Sequence, residues 1–423
     1  MQPNVLENLK QRGLLEAVTD PAINSLVNNP CVAYAGFDPS SNSLQAGNLI
    51  AAFGLAHFQR CGHRVIAVAG GATGLVGDPS GKSSDRSVLT VEQVEANLVG
   101  ITENLSRLLD FDHPTAPAKI LNNNDWMKKF TFVDFLREVG RHFRIGTMLN
   151  KESVRTRLAG EAGMSFAEFS YQLLQSYDFL HLYDTEGCRV QLGGSDQWGN
   201  ITAGTDLIRK VRGGEAYGAT FPIVCDAAGH KFGKSEGNAI YLDHRRTSYY
   251  NFYQFFVRTT DTDVVRFLKM FTFLPLEEIA ELERTVREAP ERRDAQKKLA
   301  DEITKIVHGK SGLDAALRAT AVLFGGSMDG LMASDLVEIF ADVPSSELSL
   351  EQVANRPVIE VAAAAGLCTS RGEARRLITG GGLYVNNERA TAPDAVVQSR
   401  QIVDGRVLVM RSGKKSFHLV KIA

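Results

Sequence analysis

At 423 residues the chain is too long for one compact core, so two or three domains are expected. Composition is that of an ordinary soluble protein: 44% hydrophobic, 23% charged, formal net charge −2, with no apolar run long enough to cross a bilayer and hence no membrane partner expected. Five scattered cysteines without a CxxC pair exclude a readable disulfide framework or zinc site and suit a reducing compartment. The opening MQPNVLENLKQRG lacks both the apolar core of a secretory signal and the arginines of a transit peptide, so a cytoplasmic location is expected.

In chain order, the first 225 residues alternate short apolar runs with amphipathic segments. CVAYAG (31–36), RVIAVAG (64–70), AKIL (118–121), RVQLGG (189–194) and FPIVC (221–225) read as strands buried on both faces of a parallel α/β sheet. Ligands of such sheets sit at the carboxyl ends of the strands. The first strand runs into DPSSNSLQAGNL (38–49), a small polar loop before an amphipathic helix, the place for a nucleotide, yet without lysine, histidine or glycine fingerprint.

GGATGLVGDPSGKSSDR (70–86) nearly spells a phosphate loop, but the required glycine falls on Val76, so that reading fails. A Gly-rich ligand loop bearing Asp78, Lys82 and Arg86 remains, its glycines implying close backbone approach. FSYQLLQSYDF (169–179) places Tyr171, Gln175 and Asp178 on one helix face, either an internal polar network or the wall of a pocket for a small polar ligand. HKFGKSEGN (230–238) offers Lys231 and Lys234 as a clamp for polyphosphate, although a solvated turn has the same composition.

From 247 to 325 the aromatic and aliphatic spacing becomes helical, with a start expected at Thr260–Asp263. Residues 326–355 are small and polar and read as a linker. From Arg356 onward, eleven Lys or Arg face five Asp or Glu, a balance of +6 that leaves −8 on the rest and points to a polyanionic partner.

Together YAGFDPSSNSLQAGN, GGATGLVGDPSG, FSYQLLQSYDF, QLGGSDQWGN and KFGKS, in this order, resemble the bacterial-type tyrosyl-tRNA synthetases over essentially the whole chain. CTSRGEARRLITGGGLYVNNERA is similar to an S4-type RNA-binding domain. The resemblance implies a class I Rossmann-like parallel-sheet catalytic domain (1–225) with a helical insertion (about 115–190) forming a homodimer interface. A lysine loop and α-helical anticodon-side domain (226–325), a linker (326–355) and a small α+β S4-like domain (356–423) follow. It implies the partners tRNA(Tyr), L-tyrosine and ATP, with Mg2+ accompanying ATP and no metal cage built by the protein.

The resemblance also implies roles. Tyr34 and Asp178 bind the substrate phenol; a site built for a hydroxyl rejects phenylalanine by leaving buried groups unpaired, a rule for which this family is itself the usual illustration. Asp78, Tyr171 and Gln175 hold the ammonium, and Gln197 lies near the carboxylate. Gly36, Asp38, Gly47, Asn48 and Gly194 form the ATP site with Asp196 at the ribose and Val224 at adenine. Lys82, Arg86, Lys231 and Lys234 clamp pyrophosphate. Arg371, Arg375, Arg376, Lys414 and Lys415 face RNA.

The chain departs from the family at Gln45, where the signature has histidine; Ser40 keeps the neighbouring hydroxyl. A glutamine amide donates a hydrogen bond but never carries charge. Since losing one preorganised donor costs about 2.7–4 kcal/mol, keeping one should cost less, and an active enzyme is expected. Two competing readings are a silent RNA-binding relative, which Gln45 alone favours, and a tyrosine-adenylating enzyme with another acceptor, which the basic C-terminal module disfavours.

Overall fold

The computed structural model describes residues 4–80, 89–160, 163–235, 238–341, 343–414 and 416–423. The chain divides into two compact units, one of residues 1–247 and 255–309, the other of 248–254 and 310–423.

Near-continuous apolar runs require cover on both faces, and the first unit supplies it. Its six-stranded sheet has the order β1 (Ala17–Val18), β6 (Tyr217–Phe221), β5 (Cys188–Gly194), β2 (Val32–Phe37), β3 (Arg64–Ala69), β4 (Lys119–Asn122). All neighbours pair in parallel except the edge β1, which is antiparallel to β6. Tyr34, Ile66 and Val68 pack against Phe179, Leu180 and Leu182 from the helix Phe166–Glu186. The helix Leu49–Arg60 follows β2, with Phe53 and Phe58 fully buried. Gly54 lets it lie on the sheet, because a Cβ there would meet the ring of Phe221 at 2.0 Å.

Four of the five expected strands stand where the sequence puts them. The fifth is displaced: β6 ends at Phe221, just where FPIVC was expected to begin. Pro222 has no N–H to continue a central ladder. Val224 instead accepts the Phe232 N–H (2.9 Å), and Cys225 bridges Lys231, forming a separate hairpin. The stretch 115–190 is likewise not wholly an insertion, since β4 is a strand of the main sheet; the helices inserted between β4 and β5 begin at Asn124.

The helical region appears as expected, with Thr260 preceding Asp261–Phe271 and its hydroxyl bonded to Asp263 (2.9 Å). The run Asp294–Leu323 breaks at Gly309 (φ 71°, ψ 179°).

The second unit corrects the linker reading of 326–355. Leu336 and Phe340, in and just after the helix Ala333–Ile339, are core residues packed with Val407, Val409, Phe417 and Leu419. Strand β7 (Ser345–Leu348) is an edge of a five-stranded sheet whose other strands are β8 (Leu383–Val385), β9 (Glu388–Arg389), β10 (Val407–Ser412) and β11 (Ser416–Ile422). Their order is β9-β8-β10-β11-β7, with β7 parallel to β11. The small polar residues of its turns hid this segment, whose Leu336 and Phe340 are covered by residues some 70 positions away.

Candidate active site

A cavity of about 290 Å³ opens at the carboxyl ends of β2, β3 and β5. The strands deliver Tyr34, Gly36, Val68, Gln191, Gly193 and Gly194; the helix Phe166–Glu186 delivers Tyr171, Gln175 and Asp178 on its expected face. Asp38, Gly47, Asn48, Asp78, Asp196 and Gln197 complete the expected residues in its wall.

At one place in this wall two buried polar groups lie close to each other. The Tyr34 hydroxyl is 1% exposed and has no hydrogen-bond partner among the described residues. Its pKa is pushed well above the usual phenol value, by burial first and then by the nearby Asp178 charge. Asp178, 3% exposed, accepts from Trp126 Nε1 (2.7 Å) at Oδ1 and from Asn123 Nδ2 (3.0 Å) at Oδ2. Burial raises its carboxyl to about 7 despite those two donors. A hydroxyl, which donates and accepts, can bond the carboxylate and the phenol at once.

Elsewhere the wall is an amide and carboxylate network. Gln197 Nε2 donates to Asp78 Oδ2 (2.6 Å), and Gln175 Nε2 to Gln197 Oε1 (3.2 Å). Asn200 Nδ2 lies 3.1 Å from Gln197 Oε1 and 3.2 Å from Gln175 Oε1. Tyr171 donates to the Asp38 carboxylate at 3.3 Å. Burial raises the Tyr171 pKa, and the charges of Asp38, Asp78 and Asp178 raise it further. Three carboxylates around one phenol make this part of the cavity attractive to an ammonium. Asp196 is also pushed up, by burial and by Asp78, while Lys231 opposes the shift.

The glycines of 70–81 do permit close approach, but to protein. A Cβ on Gly70 would sit 2.6 Å from Asp38 Oδ1, and one on Gly71 would sit 2.1 Å from Asn122 Oδ1. Gly47, expected against nucleotide, would bring its Cβ to 3.3 Å from the Phe232 carbonyl, although it also lines the cavity. Ser40, Gln45, Val224 and Lys231 do not line it. Gln45 is tied by its backbone, its N–H donating to Asn48 Oδ1 (2.9 Å) and the residue bridging Tyr241. Lys82, Arg86 and Lys415 lie outside the described residues, as does the Lys234 side chain.

Sequence reasoning missed Asn123, Trp126, Gln191 and Asn200. Asn123 directly follows β4, and Asn200 lies three residues beyond Gln197, so strand-end position and helical spacing were the available signals.

In the second unit Arg375, Arg376 and Lys414 are exposed, while Arg371 pairs with Glu360 (3.0 Å). The Gly413 N–H donates to the Gly382 carbonyl (2.7 Å), tying the turn that bears Lys414 to the end of the arginine helix. Arg389 joins them unannounced: its guanidinium occupies the space a Cβ on Gly381 would need.

Residues 26–325 match the family of class I tRNA synthetases (W and Y), and residues 335–420 match the tyrosine–tRNA ligase SYY-like C-terminal domain. The tyrosine–tRNA ligase of Protochlamydia amoebophila is 49% identical to the chain over 99% of both. The chain belongs to the tyrosine–tRNA ligase family. Within that family the Bacillus caldotenax ligase is 49% identical over 99% of this chain and 100% of that one. A truncated mitochondrial tyrosyl-tRNA synthetase from Aspergillus nidulans superposes with a TM-score of 0.67 at 32% identity, covering 76% of this chain and 94% of that one.

Proposed function

We infer that the chain is a tyrosine–tRNA ligase that condenses L-tyrosine with ATP to tyrosyl-adenylate and pyrophosphate, then transfers tyrosine to the 3′-terminal adenosine of tRNA(Tyr). The Tyr34 hydroxyl, unpaired among the described residues, beside the Asp178 carboxylate carries this reading, because a substrate hydroxyl can donate to the one and accept from the other. A tryptophan indole, which donates and cannot accept, leaves Tyr34 orphaned.

The chemistry needs orientation more than proton transfer. The substrate α-carboxylate is already the nucleophile toward the ATP α-phosphate, so the protein's task is to hold it in line and to meet charge on the departing pyrophosphate. Asp78, Tyr171 and Gln175 hold the ammonium, and Gln197 stands toward the carboxylate. Asp196 takes ribose hydroxyls, and Lys231 and Lys234, with Lys82 and Arg86, take the phosphates. Mg2+ enters with ATP; Asp78 and Asp38 are already engaged by Gln197 and Tyr171, which fits a metal held chiefly by phosphate and water.

Tyrosine-dependent ATP–pyrophosphate exchange tests the reading. Exchange in the wild type is expected, with Gln45→His raising kcat by no more than about tenfold, because glutamine keeps a donor. Exchange absent from the wild type but gained in Gln45→His makes the chain a silenced relative.

A homodimer is proposed through the insertion, where Phe132, Val133, Ile145 and Phe166 are each more than 65% exposed. Sedimentation of the wild type at twice the 46.2 kDa chain mass, shifted to the monomer by Phe132→Asp with Val133→Asp, is the expected result. An unshifted dimer places the interface elsewhere. Arg375, Arg376, Arg389 and Lys414 are proposed to meet tRNA phosphates. A cytoplasmic setting is proposed, which five free thiols fit.

A further inference from the structure

We propose that Phe232 is a positioning residue for the phosphate-binding lysines: its ring is the anchor that holds the lysine loop down on the opening loop. The inference rests on the functional reading above. Lys231 and Lys234 flank Phe232 and Gly233, so whatever fixes this dipeptide fixes where both lysines begin.

Phe232 is fixed on its side-chain face by aromatic packing. Its ring stacks on Phe271 at 4.7 Å and 12°, and meets Phe267 at 4.9 Å and Phe255 at 5.6 Å. Phe267 and Phe271 lie in the helix Asp261–Phe271, so the seat belongs to a rigid element.

The backbone of the dipeptide faces the opening loop. Gly233 takes φ +92°, and a Cβ on it would lie 2.6 Å from the Gly47 nitrogen. The Phe232 carbonyl is on the other side of the same contact, beside Gly47. Downstream, Ile240 donates to the Gly233 carbonyl (2.9 Å), and its own carbonyl accepts the Ala46 N–H (2.8 Å). Leu242 donates to Leu44 (2.9 Å), closing a short ladder between the two loops. The ladder holds the exit of the lysine loop, and the Phe232 seat holds its entry. With the ring seated, Lys231 is near enough to Asp196 to oppose the rise in that carboxyl's pKa. With the ring unseated, the described ties left at the entry are polar ones: the hairpin bond to Val224, the Cys225 bridge, and the bonds of Ala227 to Asp263 (2.9 Å) and of Arg266 to the Cys225 carbonyl.

The seat therefore acts on the step in which phosphate charge develops, and not on tyrosine binding, whose residues lie on other elements. In pyrophosphate exchange, Phe232→Ala is expected to lower kcat on the order of tenfold with KM for tyrosine unchanged. Phe232→Leu, which fills much of the seat, should recover most of that loss. Gly233→Ala leaves the aromatic cluster intact but drives a methyl into Gly47; it should show the same kcat-only loss, and it decides the matter if Phe232→Ala does not fold. Limited trypsin digestion supplies a readout independent of activity, and cleavage after Lys231, read well below the unfolding transition of each protein, should accelerate about tenfold in Phe232→Ala. Unchanged kcat in both variants, KM for tyrosine rising in parallel with kcat loss, or unchanged cleavage overturns the proposal. A wild type without exchange overturns the functional reading instead, while the digestion still decides whether Phe232 is the anchor.

Discussion

Asp178→Asn is expected to lower kcat/KM for tyrosine at pH 8 by roughly 10- to 150-fold, the range of about 1.5–3 kcal/mol for a hydrogen bond to a charged group. Two effects add. The substrate hydroxyl loses an ionised acceptor. The carboxylate also offers one oxygen to each of Trp126 and Asn123, whereas an asparagine has one oxygen and must turn its NH2 toward one of those donors. The second effect separates this variant from a simple loss of charge, and Asn123→Ala in the same background should return part of the activity.

The pH dependence follows from the same residue. Burial raises the Asp178 carboxyl from 3.8 to about 7. Below that value the folded carboxyl is protonated and the charge-assisted bond to substrate is gone. Tyrosine affinity of the wild type should thus fall as pH drops from 8 to 6, and binding near neutrality should release a proton. Stability runs the other way. Between pH 4 and 7 the folded chain keeps a proton that the unfolded chain has lost, so unfolding becomes easier as pH rises across that window. Calorimetric titration of tyrosine at several pH values and in two buffers of different ionisation enthalpy reads both the affinity and the proton. A flat profile in the wild type is incompatible with this assignment.

Glu168→Ala is expected to destabilise the first unit by up to about 3–5 kcal/mol, because it takes the buried carboxylate away from the Arg157 guanidinium. Arg157 and Glu168 are 3% and 5% exposed, and NH1 and NH2 reach Oε1 and Oε2 at 3.2 and 3.1 Å. Arg157 also donates to the Gly163 carbonyl (3.1 Å from NH2), so the pair closes the turn before the helix Phe166–Glu186. Tyr171, Gln175 and Asp178 ride on that helix, and KM for tyrosine should rise as the melting temperature falls, by an amount on the order of 10 °C. The double variant Arg157→Met with Glu168→Leu should regain most of the stability, since replacing both charges by apolar groups of similar volume is often neutral. Differential scanning calorimetry distinguishes these outcomes; a single variant within about 2 °C of wild type shows the pair to be dispensable.

Local pattern determined a good deal of this protein. Four strands, the helix that aligns Tyr171, Gln175 and Asp178, and the helical run after residue 247 are legible because apolar periodicity and helix starts are properties of short segments. Part of the cavity's wall was legible too, since strand-end loops mark where a parallel sheet takes its ligands. Tertiary structure alone decided the rest. Asn123 and Trp126 become partners of Asp178 only when β4 lies beside β3, more than fifty residues before the carboxylate they support. The segment taken for a linker becomes a helix and an edge strand because residues from 407 to 422 cover it. Phe232, which reads as one apolar residue between two lysines, finds its seat among rings 35 and 39 positions downstream. Pattern in one segment reports what that segment must bury, and only the folded chain supplies what it is buried against.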